Sequence, residues 1–179
     1  YEISKMIRNL SVISRYSVNK SNQLVTIKEL ADWLEKYVSL HQMRFDDAFS
    51  CNIHVDEQVY DKKVYKLLLQ PFVANAILHG FKEMASGGLL QIDIMQPEEG
   101  DGITVIIEDN GKGMAPELLK SFNTKEEAIR DDGRSIGLHN AFARMNMYYG
   151  EEATWNISSI PGMGTVITLR LPAVKEESL

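Results

Sequence analysis

One cysteine, Cys51, stands in 179 residues. An intrachain disulfide and a cysteine-built zinc site are both excluded, and a reducing compartment is the simplest reading. Positive charge is not in excess either. Nineteen Lys and Arg face 25 Asp and Glu, for a net charge of −6. A broad nucleic-acid surface needs a basic footprint, so no nucleic-acid partner is expected. A single anionic ligand in a local pocket stays compatible with that balance. No apolar run approaches the roughly 18 residues of a membrane helix, and no membrane contact is expected of this segment. Internal repeats and low-complexity stretches are absent. What is present is an ordinary globular composition, 44% hydrophobic and 25% charged, at a length that buries a core without staples. The start, Tyr1-Glu2-Ile3-Ser4-Lys5, has neither an initiator methionine nor a signal peptide. The expectation is a piece of a longer protein.

Ile3, Met6, Ile7, Leu10, Ile13 and Tyr16 recur at helical spacing. Asn19, Ser21 and Asn22 interrupt it. Thr26 and Glu29 form a capping box, followed by Leu30, Trp33, Leu34, Tyr37, Val38, His41 and Phe45 on one helical face. Residues 1–46 thus predict a helical hairpin, docked on the rest of the chain or on a second subunit. Phe49, Cys51, Ile53 and Val55 alternate as a half-buried strand. Asp61 is the expected N-cap of a helix through His79, with Pro71 marking a kink or a new start and Gly80 the stop. Leu90, Ile92 and Ile94, then Ile103, Val105 and Ile107, predict a β-hairpin. Residues 111–136 are irregular, with one short helix near Pro116–Phe122, and such a stretch is commonly a functional lid. A helix over 137–148 and strands over 154–160 and 165–171 complete the order, and the charged tail 175–179 is expected to fray. The pattern predicts an α+β fold, a mixed and mostly antiparallel sheet with helices on one face.

Four local elements carry possible chemistry. Asp109-Asn110-Gly111-Lys112-Gly113 ends a strand. It reads either as a turn or as a carboxylate in a cleft whose glycines let a flat ligand approach the backbone. Ser135-Ile136-Gly137-Leu138-His139-Asn140 opens a helix, either as an ordinary N-cap or as free N–H groups suited to phosphate. Asn75 is either a satisfied core amide or an oxygen ligand for Mg²⁺. Gly162-Met163-Gly164-Thr165 opens the last strand, at minimum as a hairpin loop.

Taken in order, Asn75, Asp109-x-Gly111-x-Gly113, Gly137 and Gly162-x-Gly164-Thr165 form a set. It resembles the GHKL ATP-binding proteins: histidine kinases, type II topoisomerases, Hsp90 and MutL. The wording is closest to LytS-like sensor histidine kinases, in Leu69-Gln70-Pro71-Phe72-Val73-Ala74-Asn75-Ala76-Ile77-Leu78-His79-Gly80 and in Ser135–Asn140 with Arg144 and Tyr149-Gly150. Ser14-Arg15-Tyr16 and Arg44-Phe45 also look familial. The resemblance implies a Bergerat-type two-layer α/β sandwich over 47–174, a lid at 114–136, and a 1–46 segment from the distal dimerisation region. It implies ATP and Mg²⁺ as ligands, with Asn75 on the metal and Asp109 on the adenine amine. Gly111 and Gly113 would line the pocket. Gly137 and Leu138 would give N–H groups to phosphates, Gly164 and Thr165 would close the adenine side, and His79 would stand near the ring. The implied partners are a second copy of the chain and the receiver domain of a response regulator, in a membrane-anchored parent with this portion in the cytoplasm.

Three positions depart from the family pattern. Ala74 replaces an acidic residue before the N-box Asn, Leu78 a lysine that reaches a phosphate, and Ser135 the first glycine of the phosphate loop. The family's acceptor histidine lies in a Pro-His-Phe-Leu-Phe-Asn-like motif, and His41, His54, His79 and His139 all lack that context. The expected function is therefore ATP-dependent phosphorylation of a histidine outside this chain. The alternatives are an ATP-binding signalling module with weak transfer, or another ATPase of the superfamily.

Overall fold

The structure, a computed structural model, describes residues 11, 23–82, 84–122, 124–129 and 136–174. The helix expected over 3–16 lies, but for Ser11, outside the described residues, as do Ser135 and the tail.

Strand β1 (Leu24–Thr26) leads directly into helix α1 (Ile27–Arg44). The capping box read from the sequence is formed. Thr26 Oγ1 accepts from the Glu29 N–H at 3.2 Å, and Glu29 Oε2 accepts from the Thr26 N–H at 2.8 Å. Helix α1 buries Ile27, Leu30, Trp33, Leu34, Tyr37 and Val38. These residues share one core with the sheet, so the helix docks on the rest of the chain. Gln42 Nε2 donates to the Phe49 carbonyl at 3.2 Å. The core is continuous across residue 46.

The main sheet contains β2 (Phe49–Val55), β4 (Gly88–Met95), β5 (Gly102–Asp109), β6 (Thr154–Ile160) and β7 (Gly164–Pro172). Its order is β2-β4-β5-β7-β6. Only β2 and β4 run parallel; the other pairs are antiparallel. One face is apolar and buried, through Leu90, Ile92, Ile94, Val105, Ile107, Ile167 and Leu169. Helix α1 and the helical segments Gln70–Asn75 and Ile136–Tyr149 join that core. The mixed, mostly antiparallel sheet expected from the alternation is what forms.

The helix expected over 61–79 is a correction. Lys63–Tyr65 is instead strand β3, paired antiparallel with β1 so that Val64 faces Val25. Val64 is buried between two more exposed neighbours, and Leu67 has φ of 60°, a left-handed conformation that no helix interior contains. Helix α2 starts only at Gln70 (Gln70–Asn75), with Pro71 in its first turn. There the missing N–H costs nothing. A π-type turn, Ala76–Gly80, ends it, a form that is frequent at functional sites.

Beyond β5 the described residues of the irregular segment form two short helices rather than one, α3 (Pro116–Lys120) and α4 (Lys125–Ile129). Helix α5 (Ile136–Tyr149) follows. Phe142, fully buried on α5, stacks on Trp155 of β6 and meets Phe72 of α2 and Phe122 beyond α3. One ring thus joins the sheet, α2 and the segment that follows α3.

Candidate nucleotide site

Asp109 is the last residue of β5, in register with Leu90 on one side and Thr165 on the other. It is only 6% exposed. Its Oδ1 accepts from the Gly111 N–H at 2.8 Å, and the Thr165 backbone also donates to the carboxylate. Burial pushes the pKa above the ordinary carboxylate value, the N–H groups of Gly111 and Thr165 oppose that rise, and the charge on Glu108 adds to it. A buried carboxylate in this setting favours a further donor.

Glycines allow the surrounding backbones to close on it. A Cβ on Gly111 would stand 2.5 Å from the Gly80 carbonyl carbon, so the loop after β5 packs directly on the end of α2. The Lys112 N–H donates to the Gly80 carbonyl at 3.0 Å. Gly164 has φ of 115°, and a Cβ there would collide with the Asp109 carbonyl oxygen. Asp109 Oδ1 lies 3.0 Å from where a Gly80 Cβ would be. No side chain at Gly80 therefore screens the carboxylate.

Ser159 ties the loop after β5 to the β6–β7 turn. Its Oγ accepts from the Met114 N–H at 2.8 Å, donates to the Gly164 carbonyl at 2.8 Å and lies 2.9 Å from Thr165 Oγ1. The Gly162 N–H adds a bond to the Lys112 carbonyl at 2.7 Å. Asn110 is no hairpin turn. It accepts from the Leu89 N–H at 2.6 Å and donates to the Gly87 carbonyl at 3.0 Å, which fixes the start of β4 against the end of β5.

Asp109, Gly111, Gly113, Gly164 and Thr165 are thus gathered at one end of the sheet, with Gly80 against them. Asn75 and His79 lie on the helical segment that ends at Gly80. The Asn75 amide is half-buried and has no hydrogen bond among the described residues. His79 is exposed. Gly137 and Leu138 stand at the start of α5, which packs on α2. Gly137 is exposed with open space at its Cβ position; the Leu138 side chain is buried. These two make no hydrogen bond to the Asp109 cluster among the described residues. Gly80 and Ser159 had no assigned place in the site from sequence. For Gly80 the signal was its position closing the N-box run; Ser159 had none.

Among the described residues no group of three or more His, Cys, Asp or Glu side chains could hold a metal. The donor set fits a cation only if one amide oxygen, from Asn75, is completed by phosphate and water, as Mg²⁺ allows. Among the described residues no helix is long and apolar enough to cross a membrane.

Residues 61–175 match the family of histidine kinase-, DNA gyrase B-, and HSP90-like ATPases, and residues 1–49 match the histidine kinase family. The chain belongs to the first of these families, the GHKL ATPases, as a histidine-kinase-type catalytic domain that binds ATP. Two relatives narrow this. The sensor histidine kinase YesM of Bacillus subtilis is 30% identical over 176 residues, 98% of this chain and 28% of that protein. The sensor protein kinase HptS of Staphylococcus aureus is 29% identical over 167 residues, 93% of this chain and 32% of that protein. The chain therefore spans about a third or less of the length of these curated relatives. Among solved structures, the histidine kinase domain of a blue-light activated kinase from Erythrobacter litoralis superposes with a TM-score of 0.59 at 17% identity, covering 97% of this chain and 75% of that one. Full-length ShkA, solved with AMPPNP, gives a TM-score of 0.63 at 15% identity over 99% of this chain and 37% of that one. At those identities the likeness concerns the fold.

Proposed function

We propose that this chain is the kinase portion of a two-component sensor: it holds Mg·ATP and passes the γ-phosphoryl group to a histidine outside its own sequence. The observation that carries the reading is the buried Asp109 carboxylate, with Gly80, Gly111 and Gly164 closed around it. Ionised, it accepts a hydrogen bond from the exocyclic amine of adenine. Gly111 and Gly113 let the purine lie close to backbone, and Thr165 with Gly164 bounds its other side. Asn75 offers its amide oxygen to the metal, His79 stands beside the ring, and the N–H groups of Gly137 and Leu138 meet the phosphates at the positive end of α5. Bound Mg²⁺ supplies charge neutralisation across the phosphates. In the transfer, the γ-phosphorus–oxygen bond to ADP breaks and a bond to the acceptor imidazole nitrogen forms. The phosphoryl group then passes to an aspartate of a receiver domain.

The acceptor lies in a segment beyond this chain, and the intact protein is a membrane-anchored dimer with this portion in the cytoplasm. Residues 114–136 close over the nucleotide as the lid. Residues 1–46 continue from the dimerisation region, and β1 and α1 are built onto the ATP-binding unit of 47–174. Ala74 and Leu78 support a second reading, a nucleotide-binding module with slow transfer, because they place neither a carboxylate nor an ammonium beside Asn75 and His79.

Calorimetric titration of ATP, with and without Mg²⁺, tests the binding step. The expected result is Mg²⁺-sensitive binding that weakens by about tenfold or more, near 1.4 kcal/mol, in Asp109→Asn. Absence of binding by the parent chain overturns the reading. Binding without phosphorylation of an acceptor-bearing full-length protein favours the second one.

A further inference from the structure

His139 lies on α5, two residues after Gly137, and is 1% exposed. Its ring joins both short helices of the lid. Nδ1 is 2.7 Å from the Ala128 carbonyl of α4. A carbonyl only accepts, so Nδ1 carries the proton. Nε2 lies 3.4 Å from Ser121 Oγ, just past α3. The ring also stacks on Phe122, with centroids 4.6 Å apart at 27°. Ala128 is itself fully buried. At its other end α4 is held by Lys125, whose Nζ reaches the Gly150 carbonyl at 3.0 Å and Glu151 at 3.1 Å, beyond the end of α5. Helix α4 therefore runs back along α5, tied at both ends. The Lys125–Glu151 ion pair, with a partner 88% exposed, contributes little, which leaves the part-buried bond to the Gly150 carbonyl at that end. The His139 contact is desolvated, and there the loss of one partner leaves a buried carbonyl unpaired.

We propose that His139 is a positioning residue for nucleotide binding: it pins the helical half of the lid to the start of α5, beside the N–H groups that would receive phosphate. This rests on the ATP reading above. A histidine that merely filled the core would be replaced well by any apolar side chain of similar size. A pin that works through Nδ1–H would be replaced only by a side chain that puts a donor at the same distance from Cα. Asn does so; Leu does not, and Gln carries its donor one bond further.

The test compares the 179-residue chain with His139→Leu, His139→Gln and His139→Asn by hydrogen exchange and by nucleotide titration. Without nucleotide, amides over 116–129 are expected to exchange about tenfold faster or more in the Leu and Gln variants, and within about twofold of the parent in Asn. With Mg²⁺, ATP affinity is expected to fall about tenfold in Leu and Gln while adenosine, which needs only the Asp109 end, binds as in the parent. Should the Leu variant fail to fold, the contrast between Gln and Asn decides. Parent-like exchange and ATP affinity in Leu or Gln overturn the proposal, as does an Asn variant as impaired as they are. A parent chain that binds neither ATP nor adenosine overturns the ATP reading itself, and the role of His139 in nucleotide binding falls with it.

Discussion

Ionising Asp109 puts a charge where water hardly reaches, since the residue is 6% exposed. Its raised pKa, caused first by that burial, has a consequence for stability. The folded state keeps the proton to higher pH than the unfolded chain does. The protonated form therefore contributes stability that is complete below the unfolded carboxyl value and is lost as pH rises through the folded one. The expected outcome is that the melting temperature of the parent, relative to Asp109→Asn, declines as pH is raised from the ordinary carboxylate range toward neutrality. A rise over that range would contradict the buried environment. Gly111 is the other decisive residue. An added methyl would stand 2.5 Å from the Gly80 carbonyl carbon, and backbone on both sides leaves no flexible group to yield. Gly111→Ala is expected to cost about 1–3 kcal/mol in denaturant unfolding and to weaken ATP binding, because the shift falls on the wall of the site. An unchanged midpoint and affinity would show that the loop and α2 are less tightly joined.

Single elements differ in how far the chain announces them. Helix α1 is written locally, in Thr26, Glu29 and one apolar face, and it forms as read. Thr26→Ala removes the side-chain acceptor for the Glu29 N–H and the hydroxyl that donates to Glu29 Oε2. The expected cost is about 0.5–2 kcal/mol in unfolding free energy; a loss below that range would mean the helix is held by its docking alone. Strands β1 and β3 are three residues each and pair with each other across about forty residues of sequence, so no local window contains their signal. Val64, Leu67 and Leu68 recur at a spacing that suits a helix equally well, and the left-handed backbone of Leu67 leaves no mark in the sequence. The site divides in the same way. Asp109, Gly111 and Gly164 are legible through the resemblance of their motifs to a known family, and the structure brings them together at one end of the sheet; Asn75 and Gly137 come from the same resemblance and lie on α2 and α5. Ser159 and His139 escape because their importance lies in contacts far along the chain, Ser159 with Met114 and His139 with Ser121 and Ala128.

At the scale of the whole molecule the question is where the ATP-binding unit begins. The matched families divide the chain between residues 49 and 61, while the packing makes no division there. Helix α1 contributes six buried side chains to the common core. At about 1.5–3 kcal/mol for each, their removal takes away as much as the entire stability of an ordinary domain, about 5–15 kcal/mol. The hydrogen bonds from Ile27 to Lys62 and from Lys28 to Tyr60, and the pairing of β1 with β3, would be lost as well. A chain beginning at residue 47 is therefore expected to show no cooperative thermal transition, and a chain beginning at residue 23 to melt cooperatively and keep its affinity for ATP. If the shorter chain folds and binds nucleotide, α1 is a connector resting on a finished domain. If only the longer one does, a movement of the chain before residue 23 enters the common core directly through β1 and α1, with no separate hinge between that segment and the nucleotide site.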